Sequence, residues 1–177
     1  MSYKLIIGLG NPGKKYEHMR HNFGFMALDF LQKKMDAPKF KMNNKLNAEI
    51  SKIDKIILAK PQTFMNSSGE AAQKILSFYK ISPNEIIVIH DDLDLPFGAI
   101  KQSKDSGSAG HNGVQSIIDI LGTKNFTRLR LGIGLSSEAL AKDDRPHKKI
   151  PVEDYVLQNF SSEELKQLPE ILQKISV

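Results

Sequence analysis

The side chains of this 177-residue chain that could do acid–base chemistry fall in three polar segments, each following a predicted strand. A histidine beside a carboxylate can act as a general base, because the carboxylate fixes the imidazole tautomer and stabilises the imidazolium. Asparagine amides nearby offer both a donor and an acceptor. Any one histidine taken alone is as readily an ordinary surface residue. The segments are residues 11–21, with Asn11 and His21; 90–94, with His90 and Asp91; and 110–113, with His111 and Asn112.

These segments can meet if the apolar runs before them are neighbouring strands of one sheet. Residues 86–89 are wholly apolar, which is typical of a central strand covered on both faces. Residues 4–7 form a second apolar run that ends at Gly8. Because the carboxyl ends of parallel strands lie at one edge of a sheet, we expect the three segments to converge there, joined by Asn66.

Strand and helix patterns alternate along the chain, with one hairpin near residues 54–55. This order predicts a single domain over residues 1–177, an α/β/α sandwich of three layers around a mixed, mostly parallel twisted sheet. Ser67 and Glu70 resemble a capping box at the start of the second helix, and Pro169 predicts an interruption of the last one. The predicted strands are residues 4–8, 47–53, 55–60, 86–89, 99–104 and 126–134, with 40–46 a loop; the predicted helices are 22–35, 68–79, 111–122 and one beginning near 161.

The glycines at positions 8, 10 and 13 match the dinucleotide-binding pattern G-x-G-x-x-G after a strand. That pattern requires a helix that starts within the glycine loop, so that its amides face the pyrophosphate. Residues 14–21 show no apolar helical face, and helical spacing begins only at Phe23. The sequence therefore disfavours a nucleotide-dependent enzyme, which NAD titration would test.

Other catalytic arrangements find little support. Asp91, Asp92 and Asp94 could attract a hard cation, but the glycine and distal glutamate of a calcium loop are absent from the required positions. One functional aspartate with two solvated ones is the better interpretation. A nucleophile elbow would need glycine where Ser106 stands. The chain has no cysteine, which excludes thiolate catalysis and cysteine metal sites.

Composition sets broad limits on compartment and partner. No apolar run approaches the roughly 20 residues of a membrane span, and the first residues lack a signal-peptide apolar region. We therefore expect a cytoplasmic protein without a membrane partner. The net charge of +5 is compatible with a polyanionic partner. Arg128 and Arg130 share one face of a strand, either a solvated edge-strand face or a phosphate contact beside the basic segment 136–151, a predicted surface loop.

Taken together, five blocks of the sequence resemble the bacterial-type peptidyl-tRNA hydrolase family. They include I-G-L-G-N-P-G, T-F-M-N, H-D-D-L-D-L-P, G-H-N-G and R-L-R-L-G-I-G, and they follow the family's order from about residue 4 to 160. The matching positions are residues 7–13, 16 and 20–22; 60–61, 63–66 and 68–69; 90–91, 93–96 and 98; 110–113; and 128–134.

The resemblance implies hydrolysis of the ester that joins a peptide to the terminal ribose of tRNA, by a monomer whose partner is peptidyl-tRNA. It implies that His21 is the general base, that Asp91 holds it, and that Asn11 favours peptidyl over aminoacyl esters. Such a reaction needs water, a base and polarising donors, so no cofactor or metal is expected. The alternative is a catalytically inactive RNA-binding protein on the same scaffold, which the intact polar residues disfavour. The implied substrate-binding residues are Tyr16, Phe64, Asn66, His111 and Asn112.

The resemblance also implies a tRNA phosphate contact at Arg130. The family commonly has a basic strand residue to pair with that arginine, where this chain has Ser103. We expect Lys101, on the same face as Ser103, or Lys104 to take its place.

Overall fold

A seven-stranded sheet forms the centre of the protein in a computed structural model that describes residues 3–134 and 151–176. The strand order is β2-β3-β4-β1-β5-β7-β6, in which β4, β1, β5 and β7 are parallel neighbours and the outer pairs are antiparallel. The strands are β1 (Leu5–Gly8), β2 (Lys41–Asn43), β3 (Ala48–Ile53), β4 (Ile56–Pro61), β5 (Ile86–Pro96), β6 (Ile100–Lys104) and β7 (Thr127–Gly134). The helices are α1 (Phe23–Lys34), α2 (Ser68–Tyr79), α3 (Asn112–Leu121), α4 (Val152–Val156) and α5 (Ser162–Gln173).

Two apolar cores lie on opposite faces of this sheet, because successive side chains of a strand point to opposite sides. Ile7 of β1 packs with α2 and α3, whereas its neighbour Ile6 packs with α1 and α5. Val88 and Ile89 of β5 divide in the same way. The predicted three-layer α/β/α sandwich is confirmed.

The helix after the glycine-rich loop begins at Phe23, as expected, and two 3₁₀ turns (Lys14–Tyr16 and Arg20–Asn22) lie between Gly13 and that helix. The region predicted as a loop at residues 40–46 contains the short edge strand β2, so that prediction is wrong. This segment is polar and Asn-rich and shows no strand pattern, and β2 pairs with β3.

Two predictions about the helices, the capping box at Ser67 and the interruption at Pro169, are wrong. A 3₁₀ turn (Met65–Ser67) precedes α2, and the Ser67 side chain makes no capping hydrogen bond. Helix α5 runs through Pro169 without a break, held by its buried face of Leu168 and Leu172. Burial of that face outweighs the loss of one helical hydrogen bond.

Two strands also differ from expectation in ways that matter for the site. Strand β5 does not end at residue 89 but continues to Pro96, because His90 and Asp91 remain in register with β7. Strand β7 is not an edge strand; it lies between β5 and β6, and Arg128 is buried. The predicted loop at 136–151 lies outside the described residues, apart from Pro151. No helix within residues 3–134 and 151–176 is long and apolar enough to cross a bilayer.

Candidate active site

A 3₁₀ turn (Arg20–Asn22) before α1 brings His21 beside Asp91, midway along β5. Helix α1 packs so closely there that a Cβ atom on Gly24 would lie 2.4 Å from the Ile89 carbonyl oxygen. Only glycine permits that approach. The turn is thus held against the sheet, and the His21 ring is buried beside Asp91.

Asp91 accepts hydrogen bonds from two histidines. Its carboxylate oxygens lie 2.9 and 3.0 Å from Nδ1 of His21, and Oδ1 lies 3.0 Å from Nε2 of His111. Burial alone would raise the pKa of the Asp91 carboxyl, but the two histidines on it hold that pKa well below its usual range. Asp91 is therefore ionised wherever the protein is folded near neutral pH.

The tautomer of His111 follows from its place at the N-terminus of α3. Its Nδ1 accepts the backbone N–H groups of Gly113 and Val114, at 3.2 and 3.3 Å. A nitrogen that accepts these bonds carries no proton, so Nε2 carries it and donates it to Asp91.

A metal ion is poorly suited to this cluster even though its three ligand atoms, on His21, Asp91 and His111, lie within 4.8 Å of one another. A metal-bound histidine nitrogen must be deprotonated. Freeing Nε2 of His111 would force the proton onto Nδ1, against two backbone N–H groups. The helix cap therefore opposes metal binding here.

His21 has the opposite arrangement of its ring nitrogens. Because Asp91 is ionised, Nδ1 of His21 carries the proton and donates it. Nε2 is left with a free lone pair, and among the described residues it accepts no hydrogen bond. The His21 ring lines a cleft, so this lone pair is available to a ligand.

His90 packs against this cluster and is not among the described residues that line the cleft. It is fully buried, its Nδ1 donates to the Asp91 carbonyl oxygen at 2.6 Å, and its ring packs edge-on against His111 at 4.6 Å between centroids. Burial holds the pKa of the His90 imidazole well below its usual value. His90 is a neutral packing group.

The Asn11 amide is held in one orientation. Its Oδ1 accepts the Met65 backbone N–H at 2.9 Å, and its own backbone groups bind the side chain of Asn22 at 3.0 and 2.9 Å. Since Oδ1 is occupied by a donor, Nδ2 is the group that Asn11 presents to a ligand. Asn22, to which the sequence pattern assigned no function, sets this geometry.

The cleft around these groups measures about 670 Å³. It brings together seven of the residues proposed from sequence, which are Asn11, His21, Phe64, Asn66, Asp91, His111 and Asn112. Three exposed apolar side chains, Phe64, Val152 and Leu157, are part of its lining. Tyr16 is not among the described lining residues; it lies in the earlier 3₁₀ turn, with Lys15 over its ring.

The predicted phosphate contacts lie apart from this cleft, on β6 and β7. Arg130 donates from Nε to Asp92 at 2.6 Å, and this bond raises the pKa of the arginine. Lys101 stands directly opposite Arg130, whereas Ser103 stands opposite Arg128. Lys104, an odd number of residues from Lys101, points to the other sheet face. The register therefore favours Lys101 as the partner of Arg130.

The sequence model of the family described as peptidyl-tRNA hydrolase matches residues 5–177 of the chain. The chain belongs to the peptidyl-tRNA hydrolase family. The peptidyl-tRNA hydrolase of Bdellovibrio bacteriovorus is 47% identical over 175 residues, which cover 96% of this chain and 87% of that protein. The one from Aquifex aeolicus is 46% identical over 177 residues, covering 98% and 86%.

A solved structure agrees with these relatives. The crystal structure of the peptidyl-tRNA hydrolase from Acinetobacter baumannii superimposes with a TM-score of 0.82 at 32% identity, covering 97% of this chain and 83% of that one. This likeness confirms the fold of this peptidyl-tRNA hydrolase family member, and it spans both the sheet and the cleft-bearing segments.

Proposed function

We propose that this chain hydrolyses the ester bond between a peptide, or an N-blocked amino acid, and the terminal ribose of tRNA, with His21 as general base. The observation that carries the proposal is the different environment of the two ring nitrogens of His21. Asp91 holds Nδ1–H, and Nε2 is left as an acceptor in a cleft. Membership of the family supports the same reaction.

In the first step, a water oxygen attacks the ester carbonyl carbon while Nε2 of His21 accepts a proton from that water. Asp91 stabilises the imidazolium that forms, because its carboxylate stays ionised. The tetrahedral intermediate then expels the ribose oxygen, and the imidazolium returns the proton to it. The products are a peptide with a free carboxyl group and a tRNA with a free terminal hydroxyl.

The three asparagines of the cleft supply donors for the substrate. The fixed Nδ2 of Asn11 is placed to bind a carbonyl oxygen of the peptide, which is why it would favour a peptidyl ester over a free aminoacyl ester. Asn66 and Asn112 are exposed in the same cleft and offer further amide groups. Preorganised donors of this kind stabilise the oxyanion of an acyl-transfer transition state.

The tRNA body would lie across β6 and β7, where Arg130 and Lys101 face the same side. Asp92 accepts from Nε of Arg130, and among residues 3–134 and 151–176 no bond occupies the terminal guanidinium nitrogens, which can bind a phosphate. Because the substrate arises on ribosomes, we place the enzyme in the cytoplasm, and we propose that it acts as a monomer.

The test is an ester-hydrolysis assay on N-acetylaminoacyl-tRNA, run beside unblocked aminoacyl-tRNA. The expected result is release of the N-acetyl amino acid, with much slower release from the unblocked ester. Binding of the tRNA without release would instead favour the inactive RNA-binding alternative.

A further inference from the structure

The turn that carries His21 is joined to the C-terminal part of the chain by Arg20. The Arg20 guanidinium lies against both carboxylate oxygens of Glu164, from Nη2 at 2.8 and 3.0 Å, and Nη1 donates to the Asn159 carbonyl. The two side chains are largely buried, with 10% and 20% of their surfaces exposed. A bidentate, partly desolvated pair of this kind fixes orientation as well as adding energy.

Aromatic rings and the backbone reinforce the same junction. The guanidinium carbon of Arg20 lies 4.8 Å from the centre of the Tyr155 ring and 5.4 Å from that of Phe160. The backbone N–H of Arg20 donates to Gln158, and that of Phe160 donates to His18, both at 2.9 Å. The segment before His21 thus pairs with the segment between α4 and α5.

The partner segment also forms one wall of the cleft. Val152 and Val156 of α4, followed by Leu157, line it together with Phe64. The hydroxyl group of Tyr155 donates to the Ile133 carbonyl oxygen at 2.7 Å, which ties α4 to the end of β7. Arg20 therefore links this wall of the cleft to His21, the next residue in the chain.

We propose that Arg20, through Glu164, is a positioning residue that sets the place of the His21 ring against Asp91. This proposal rests on the proposed function wherever kcat is the measurement. Because a base must lie within hydrogen-bond reach of its water, a small displacement of the turn lowers the rate of proton transfer and leaves substrate binding largely intact.

Glu164→Gln tests this role with little change of shape. A glutamine oxygen can still accept the Ser161 backbone N–H, which Glu164 now accepts at 2.7 Å, so the start of α5 keeps its cap. The ion pair with Arg20 is lost. We expect kcat on N-acetylaminoacyl-tRNA to fall about tenfold, with KM within about twofold of the wild type.

Glu85→Gln is the matched control. Glu85 likewise accepts the backbone N–H three residues before it, from Ser82 at 3.0 Å, and pairs with a cation, Lys4, at 2.6 Å. It lies at the start of β5, away from the cleft. Glu85→Gln should leave kcat unchanged. An equal loss of kcat in both variants would overturn the positioning role, because it would trace to removal of a capping carboxylate.

A second readout does not depend on hydrolysis. Nitrogen-15 NMR of the histidine rings reports the His21 tautomer, which should be Nδ1–H in the wild type and in Glu85→Gln, and mixed in Glu164→Gln. Arg20→Lys, which keeps the charge but not the bidentate geometry, should give a smaller loss of kcat, about threefold. A normal kcat and an unchanged His21 spectrum in folded Glu164→Gln would overturn the inference. A wild type without turnover would refute the proposed function alone, and the NMR comparison would still decide the positioning role.

Discussion

The cluster around Asp91 and the strip formed by Arg130 and Lys101 lie on the same sheet but are built differently. Asp91 is buried and accepts two N–H groups at about 3 Å, so each ring around it has one permitted tautomer. Arg130 makes one carboxylate contact within the described part of the chain, and Lys101 is exposed. Proton transfer requires fixed geometry, whereas phosphate affinity arises from counterion release and tolerates mobile side chains. The contrast predicts that mutations around Asp91 lower kcat, whereas mutations of Arg130 or Lys101 raise KM.

The largest effect is expected at His21. In His21→Ala, kcat should fall by roughly 10²-fold or more, because the water loses its proton acceptor. The measurement is steady-state hydrolysis of N-acetylaminoacyl-tRNA by protein shown to be folded by circular dichroism. His18→Ala, an exposed histidine in the same loop, is the control and should retain activity. Near-normal turnover in folded His21→Ala would remove the base from the mechanism.

Asp91→Asn should cost less, about tenfold in kcat, since the base itself remains. The acid limb of the pH–rate profile should also move to lower pH. Loss of the Asp91 anion removes the charge that stabilises a protonated base, so protonation should limit the rate only at lower pH. Rates measured across pH 5 to 8, roughly the range in which histidine charge changes, would reveal this shift. An acid limb that stays in place would mean that the two groups are not coupled.

Arg130→Ala should affect binding and leave chemistry nearly intact. We expect a severalfold higher KM for full-length peptidyl-tRNA with kcat nearly unchanged, and a salt dependence weakened by about one charge. For a peptide ester on a short CCA fragment, KM and kcat across the same salt series should be the same in Arg130→Ala and the wild type. Equal losses on both substrates would make Arg130 structural or catalytic and would erase the contrast with the Asp91 cluster.

The smallest effect separates two lysines of the edge strand. Lys101 faces the side of Arg130, and Lys104 faces the other. Lys101→Ala should therefore raise KM for full-length substrate by about threefold, and Lys104→Ala should not. If Lys104→Ala has the larger effect, the tRNA crosses the opposite face of β6.

Sequence patterns predicted well what depends on neighbours along the chain. The apolar run before Asp91 indicated a central strand, and the three polar segments do meet at its end. Contacts between distant positions had no such signal. The hydrogen bond between Arg20 and Glu164 spans 144 residues, and nothing in either local sequence points to the other.

The register of β6 on β7 illustrates the same limit in the phosphate strip. Sequence placed Lys101 and Ser103 on one face but could not say which of them opposes Arg130. Both residues point to the same side, so only the observed register of the paired strands decides between them. Capping by His111 was similarly hidden, because imidazole is not among the usual capping groups.

The 3₁₀ turn that carries His21 makes this part of the chain sensitive to length as well as to residue type. Such a helix turns about 120° per residue, so Arg20, His21 and Asn22 leave it in three directions, toward Glu164, Asp91 and Asn11. One inserted or deleted residue would rotate each side chain onto its neighbour's partner and break all three contacts at once. Insertions should instead be tolerated in the exposed turn at Asp54 and Lys55 between β3 and β4, which carries none of these groups.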